Sequence, residues 1–125
     1  GNAGANTLFG GSGADTIFGG AGDDIIVSGG GNDTVSGGLG DDKINLKGGA
    51  DIIVFNAGDG FDRIYNFENG HDQIDLSSYG FAGLSDLAPG IVDTGGGVDL
   101  HLGGNDMIRL AGMDAGLIDA SDFIF

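Results

Sequence analysis

The chain has 125 residues, with 29 glycines, one proline and no cysteine; 19 acidic against four basic side chains leave a formal charge of −15. Such a balance leaves no basic patch for nucleic acid or an anionic membrane surface, and without cysteine there are no disulfides or thiolate metal sites. A chain this long supports one hydrophobic core, and no apolar stretch approaches membrane-spanning length.

Glu68 is the only glutamate, so nearly all the negative charge sits on short aspartate stems. Carboxylates held that close to the backbone repel one another, and compaction without counter-charge is disfavoured. The opening Gly1-Asn2-Ala3-Gly4 is not a signal peptide and falls inside a repeat, so the expectation is a piece of a longer protein.

From the N-terminus the chain repeats every nine residues: GNAGANTLF (1–9), GGSGADTIF (10–18), GGAGDDIIV (19–27), SGGGNDTVS (28–36), GGLGDDKIN (37–45) and LKGGADIIV (46–54). After two inserted residues comes AGDGFDRIY (57–65), and after one more FENGHDQID (67–75). The sixth position holds Asp15, Asp24, Asp33, Asp42, Asp51, Asp62 and Asp72, with Asn6 in the first unit. The eighth is always aliphatic: Leu8, Ile17, Ile26, Val35, Ile44, Ile53, Ile64 and Ile74. A disordered linker has no reason to return an aliphatic on schedule.

Positions seven to nine read as a short strand with its middle side chain inward, and the first six as a turn. Two units make one coil, so alternate units stack. Asp15, Asp33, Asp51 and Asp72 then form one column, and Asp24, Asp42 and Asp62 the other. The fold class expected is all-β, a parallel β-roll over residues 1–75. Its single line of aliphatics is a thin core for so many ordered glycines, and a cation is needed to complete it.

The donors select the cation. Calcium takes six to eight oxygens from carboxylates and carbonyls in tolerant geometry; magnesium demands a tight octahedron, and transition metals favour imidazole or thiolate. The predicted metal-turn residues are the seven aspartates with Gly11, Gly13, Gly20, Gly22, Gly29, Gly31, Gly38, Gly40 and Gly49. Sites are expected at Asp15/Asp33, Asp33/Asp51, Asp51/Asp72, Asp24/Asp42 and Asp42/Asp62. That makes about five Ca²⁺ ions or more, offsetting about ten negative charges, with a defective first rung at Asn6.

These units resemble the RTX (repeats-in-toxin, haemolysin-type) family, whose consensus is GGxGxDxUx with U aliphatic. The resemblance covers residues 1–75. It implies a right-handed calcium β-roll, in a bacterial protein exported by type I secretion and folded outside the cell, where calcium is plentiful. Phe67–Phe81 is similar to the segment closing the roll in secreted RTX metalloproteases and alginate epimerase modules.

Beyond it, residues 76–125 read as a C-terminal cap. Alternating runs at Gly90–Thr94, Val98–Leu102 and Asp106–Leu110 are expected to form the strands of a capping sheet. The last stretch, Leu117–Phe125, resembles the family's type I secretion signals and also reads as the final core strand, through Phe123 and Phe125.

No arrangement of nucleophile, base and metal-binding helix points to catalysis, so no catalytic or organic-cofactor site is expected, and any activity of a secreted parent enzyme is expected in its upstream domain. His71 reads as a solvated turn residue and His101 as structural. The expected role is a calcium-binding module supporting secretion and extracellular folding of an upstream domain, with the secretion apparatus as partner through the C-terminus. The alternative is a polysaccharide-binding module using Lys43, Arg63 and Tyr65. Phe9, Phe18, Ile25, Val27, Ile52 and Val54 are expected to form an exposed apolar surface.

Overall fold

Eight short strands alternate with glycine turns in the order the nine-residue period dictates: β1 (Thr7–Phe9), β2 (Thr16–Ala21), β3 (Ile25–Val27), β4 (Thr34–Leu39), β5 (Lys43–Asn45), β6 (Ile52–Val54), β7 (Phe61–Tyr65) and β8 (Gln73–Asp75). The structure, a computed structural model, describes all residues 1–125. Odd-numbered strands stack in parallel in one sheet, and even-numbered strands in the other.

The register is the one that alternate stacking requires. Leu8 pairs with Ile26, Ile26 with Ile44 and Ile44 with Ile64. Across the roll Ile17, Val35, Ile53 and Ile74 form the second line. Because side chains alternate along a strand, the eighth position points inward while the seventh and ninth face out. Ile26, Val35, Ile44, Ile53, Ile64 and Ile74 are all fully buried. Strands β2 and β4 run past the expected three residues, since Gly20 pairs with Gly38 and Ala21 with Leu39. Close backbone approach at those glycines lets the ladder continue into the turn.

Past the roll lie a short helix α1 (Leu84–Leu87) and four strands: β9 (Ile91–Asp93), β10 (Gly97–Gly103), β11 (Asp106–Ala111) and β12 (Phe123–Ile124). The expected strands exist, but they do not form a sheet of their own. Strand β11 pairs in parallel with β7, β10 and β9 follow it antiparallel, and β12 pairs in parallel with β8. The sheets thereby grow to seven and five strands.

The reason is the open roll end, where β7 and β8 would otherwise leave unpaired edges. Leu110 continues the aliphatic line from Ile64, and Phe123 continues it from Ile74. One buried cluster therefore spans both parts of the chain. Phe123 is buried in the final strand and packs on Phe125, with ring centroids 5.7 Å apart. Tyr79 stacks between Phe55 and Phe81, at 6.2 and 5.7 Å, and ties the segment after β8 to the roll. Helix α1, which no periodic signal announces, buries Leu87. Of the anticipated apolar surface, Phe9, Phe18 and Ile25 are exposed, while Val27, Ile52 and Val54 are half-buried.

Candidate metal centre

The sixth-position aspartates join each turn to the one stacked on it. The backbone N–H of Asp15 donates to Asp33 Oδ1 (2.9 Å), that of Asp33 to Asp51 Oδ1 (2.9 Å) and that of Asp51 to Asp72 Oδ1 (2.8 Å). In the second column Asp24 N–H donates to Asp42 Oδ1 (2.7 Å) and Asp42 N–H to Asp62 Oδ1 (3.0 Å). Asn6 N–H joins this column through Asp24 Oδ1 (2.6 Å), but its side-chain oxygen accepts from Asn2 N–H within its own turn. The first rung thus stacks without contributing a carboxylate.

The ladder accounts for Oδ1 of Asp24, Asp33, Asp42 and Asp51 but for none of their Oδ2 atoms. Oδ2 of Asp15, Asp24, Asp33, Asp42 and Asp51 is buried with no hydrogen-bond partner. The five orphaned oxygens equal in number the five gaps in which both stacked turns carry a sixth-position aspartate. A buried carboxylate oxygen with nothing to accept from is strongly unfavourable, and a cation facing it removes the penalty.

The space beside these oxygens is kept open by the residue that begins each turn. A Cβ built on Gly10 would lie 2.9 Å from Asp15 Oδ2 and on top of the Ser28 carbonyl. On Gly19 it would lie 2.5 Å from Asp24 Oδ2 and against the Gly37 carbonyl. On Gly37 it would lie 2.8 Å from Asp42 Cγ. The cradles at Gly10 and Gly19 are bounded by a carboxylate of their own turn and a carbonyl of the next, and that at Gly37 by the Asp42 carboxylate. No three His, Cys, Asp or Glu side chains converge anywhere, so backbone carbonyls must supply the remaining donors. Carboxylate plus carbonyl oxygen in an open frame is the donor chemistry of calcium, and the residues fit that ion.

The predicted turn glycines Gly11, Gly13, Gly20, Gly22, Gly29, Gly31, Gly38, Gly40 and Gly49 all have φ between 95° and 131°. For all of them but Gly11 and Gly13 the part played is close stacking as well as turning. A Cβ on Gly38 would strike the Gly20 carbonyl, and one on Gly40 the Gly22 carbonyl. Sequence reasoning passed over the first position, Gly10, Gly19, Ser28 and Gly37. The signal was the leading glycine of each GG doublet, at positions whose backbone does not require glycine.

Burial makes ionisation costly while no cation is bound. It pushes Asp62 up to about 8 and Asp42 to about 6, and Asp24 adds repulsion to Asp42. Burial likewise raises Asp51 to about 6, with Asp72 and Asp33 adding to it. Asp59 and Asp72 are raised as well, chiefly by burial.

Two aspartates outside the repeats end the columns, and sequence reasoning missed both. Asp106 Oδ2 accepts from Gly58 N–H (2.8 Å) and Tyr79 O–H (2.8 Å), while its Oδ1 accepts from Gly60 N–H (3.3 Å). In earlier turns the fourth-position N–H finds a carbonyl of the next turn, as Gly40 does at Asp59 O. Asp106 stands in for that missing turn. Asp122, fully buried, does the same for Gly70 N–H (3.4 Å) and also accepts from Asp119 N–H (2.9 Å).

The outer face of the seven-stranded sheet collects most of the positive charge. Lys43 is in register with Arg63, and Arg63 with Arg109. Arg109 is clamped by Asp99 through two bonds of 2.8 and 3.0 Å, which hold the Asp99 carboxyl below its usual range. Lys43 and Arg63 have no such partner. Arg63 lies over the Phe61 ring (4.6 Å), Tyr65 pairs with Asn45 on the next strand, and Asn66 bonds Asn45. His71 and His101 are exposed and belong to no donor cluster.

Parallel coils whose stacked turns hold buried, unpartnered carboxylate oxygens, with carbonyls beside those of Asp15 and Asp24, define a calcium-binding β-roll. The RTX calcium-binding nonapeptide repeat, in four copies, matches residues 1–35 and 27–63, and the chain belongs to this family. No curated protein sequence matches the chain. Among solved structures, the extracellular lipase LipA from Serratia marcescens is similar over 100% of this chain and 20% of its own, with a TM-score of 0.82 and 21% identity. The AlgE6R3 subunit from the Azotobacter vinelandii mannuronan C5-epimerase is similar over 98% of this chain and 80% of its own, with a TM-score of 0.80 and 28% identity. The AlgE6R2 subunit of that enzyme follows at 100% and 90%, with a TM-score of 0.72 and 26% identity.

Proposed function

We propose that the chain is a non-catalytic module, folded by calcium, that serves the export and extracellular folding of a larger secreted bacterial protein. Residues 1–75 hold about five ions, one in each gap, and residues 76–125 close the roll and carry the export determinant near the C-terminus. The observation behind this reading is the set of five buried, unpartnered Oδ2 atoms on Asp15, Asp24, Asp33, Asp42 and Asp51. In low calcium these carboxylates hold the early coils open, which suits passage through a secretion channel; at extracellular calcium the coils close. The chain's span of only 20% of the lipase it resembles fits a module serving another domain.

Circular dichroism and backbone hydrogen exchange during a calcium titration, with magnesium as control, test it. Calcium is expected to slow exchange in β1–β6 by about 100-fold or more, with magnesium far less effective. Equal protection of these strands in chelator would rule the reading out.

A second reading rests on the row Lys43–Arg63 beside Tyr65, Asn45 and Asn66, the one place where this acidic chain gathers unpaired cations and hydroxyl or amide groups. Two of the similar structures are subunits of a mannuronan epimerase, and mannuronan is a linear acidic polysaccharide. The face suits such a chain: neighbouring strands lie about 4.8 Å apart, and aligned charges across them meet a regularly charged ligand. Calorimetry with oligomannuronate in calcium is expected to show weak, salt-sensitive binding, reduced about tenfold or more in the Lys43→Gln/Arg63→Gln double variant. Wild-type protein that fails to bind at low salt, or a variant that binds equally well, removes this reading.

A further inference from the structure

The outer faces of the two sheets differ in charge. Strands of the seven-stranded sheet carry Lys43, Arg63 and Arg109, whereas those of the five-stranded sheet carry no basic residue. The three cations stand in register on β5, β7 and β11. Like charges side by side on neighbouring strands repel, and the fold answers only one of them: Asp99 on β10 grips Arg109 through both carboxylate oxygens. Lys43 and Arg63 are left without a counter-ion. Asp23 and Asp41 line the hollow beside this pair but form no ion pair with it, accepting instead from Asp41 and Phe61 N–H.

Two positions further along each strand, on the same face, runs a second row: Phe9, Val27, Asn45 and Tyr65 on β1, β3, β5 and β7. An aromatic ring stands at each end of it, three inter-strand steps apart, which is roughly 14 Å at about 4.8 Å per step. Phe9 is 74% exposed, more than any other large hydrophobic side chain of the protein. It adds nothing to the roll's interior. A ring held open on a flat sheet beside unanswered cations offers apolar area to the face of a ligand ring and charge to that ligand's anions.

We infer that an acidic polysaccharide lies across the strands of this face from Phe9 to Tyr65, and that Asp99 marks where the run ends. Phe9 and Tyr65 pack against sugar rings, and Lys43 and Arg63 pair with the polymer's carboxylates. This assignment rests on the second reading above and gives it an extent and a direction. Towards the N-terminus Ile25 and Val27 continue the face without charge, so nothing there repels an anionic chain. Past β7 the polymer meets an Arg109 already neutralised and, on the next strand, the negative charge of Asp99. A like charge set at that end discriminates against longer occupation more sharply than a mere lack of contacts would.

Calorimetry with oligomannuronate on the full chain, in calcium at low salt, tests this with Phe9→Ala, Phe18→Ala and Asp99→Asn; thermal melts in calcium establish that each variant is folded. Phe18 is the matched control, 64% exposed at the corresponding edge of the five-stranded sheet. Phe9→Ala is expected to weaken binding about fivefold or more, and Phe18→Ala to leave it unchanged. Asp99→Asn releases Arg109 and should tighten binding about threefold or more, with a steeper dependence on salt. If the wild-type chain binds and Phe9→Ala binds equally well, the inference is overturned while the second reading stands. A wild-type chain that does not bind removes both. A folded Asp99→Asn that binds no tighter overturns the boundary at β11. Sedimentation velocity supplies the remaining arm: a wild-type dimer that Phe9→Ala renders monomeric would assign the ring to a second copy and overturn the inference as well.

Discussion

Asp42→Asn is expected to shift stability in opposite directions with and without calcium. The substitution keeps a side-chain oxygen to accept from Asp24 N–H but removes the charge on the buried, unpartnered Oδ2. In chelator that charge has no counterpart, so its loss should stabilise the coil by about 1–3 kcal/mol. With calcium bound the same change strips an anion from a buried cation, a loss of about 3–5 kcal/mol by analogy with a broken buried ion pair. Denaturant melts followed by exchange in β3 and β5 measure both arms. A variant that loses stability equally in chelator and in calcium would mean Asp42 serves only as a hydrogen-bond acceptor.

The same physics fixes a pH dependence. Asp42 and Asp51 titrate near 6 in the folded chain and Asp62 near 8, all above the ordinary carboxylate value of 3.8. A group whose folded pKa is raised holds its proton more tightly when folded, so the metal-free coils are most stable below about pH 4. Their stability declines as pH rises from there through 6 and on to 8, and is level above. Calcium must displace those protons, so its apparent affinity should strengthen from pH 5.5 to pH 8. Titrations at several pH values, read by circular dichroism, check the slope.

The roll was legible because its information is periodic. Ile26, Ile44 and Ile64 recur on schedule, and a period of two units leaves only one register in which they meet. The closing strands were legible as strands but not as partners. Nothing in the run 106–111 declares that Leu110 will sit beside Ile64, since that pairing is decided by the open edge of β7 rather than by any local pattern. Helix α1 has one turn and no amphipathic period, so it carried no signal.

The candidate site was legible to the same depth. The aspartate columns follow from spacing alone. Which carboxylate oxygen stays unpartnered does not, because in Asp24, Asp33, Asp42 and Asp51 it depends on Oδ1 being taken by an N–H eighteen residues away. Asp106 and Asp122 were invisible for the opposite reason. They lie outside the repeat, and only the fold brings them to Gly60 and Gly70.

Gly37→Ala separates the cradle from the backbone. Gly37 is not in the left-handed region, so alanine meets no conformational penalty there. Its new Cβ would fall 2.8 Å from Asp42 Cγ, on the side where the orphaned oxygen points. Overpacking of this kind costs about 1–3 kcal/mol. In calcium the intruding methyl also displaces the ion's place beside Asp42, so the folding midpoint should move to at least about tenfold higher calcium. Gly48→Ala is the matched control: its Cβ would meet nothing within 4 Å and its φ is not positive. There a methyl group only reduces the freedom of the unfolded chain and should stabilise by about 0.4–1 kcal/mol. Gly38→Ala, at φ +97° and against the Gly20 carbonyl, should destabilise the roll in chelator and calcium alike. If Gly37→Ala leaves the calcium midpoint where Gly48→Ala leaves it, the space beside Asp42 is not where the ion binds, and the first-position glycines serve packing alone.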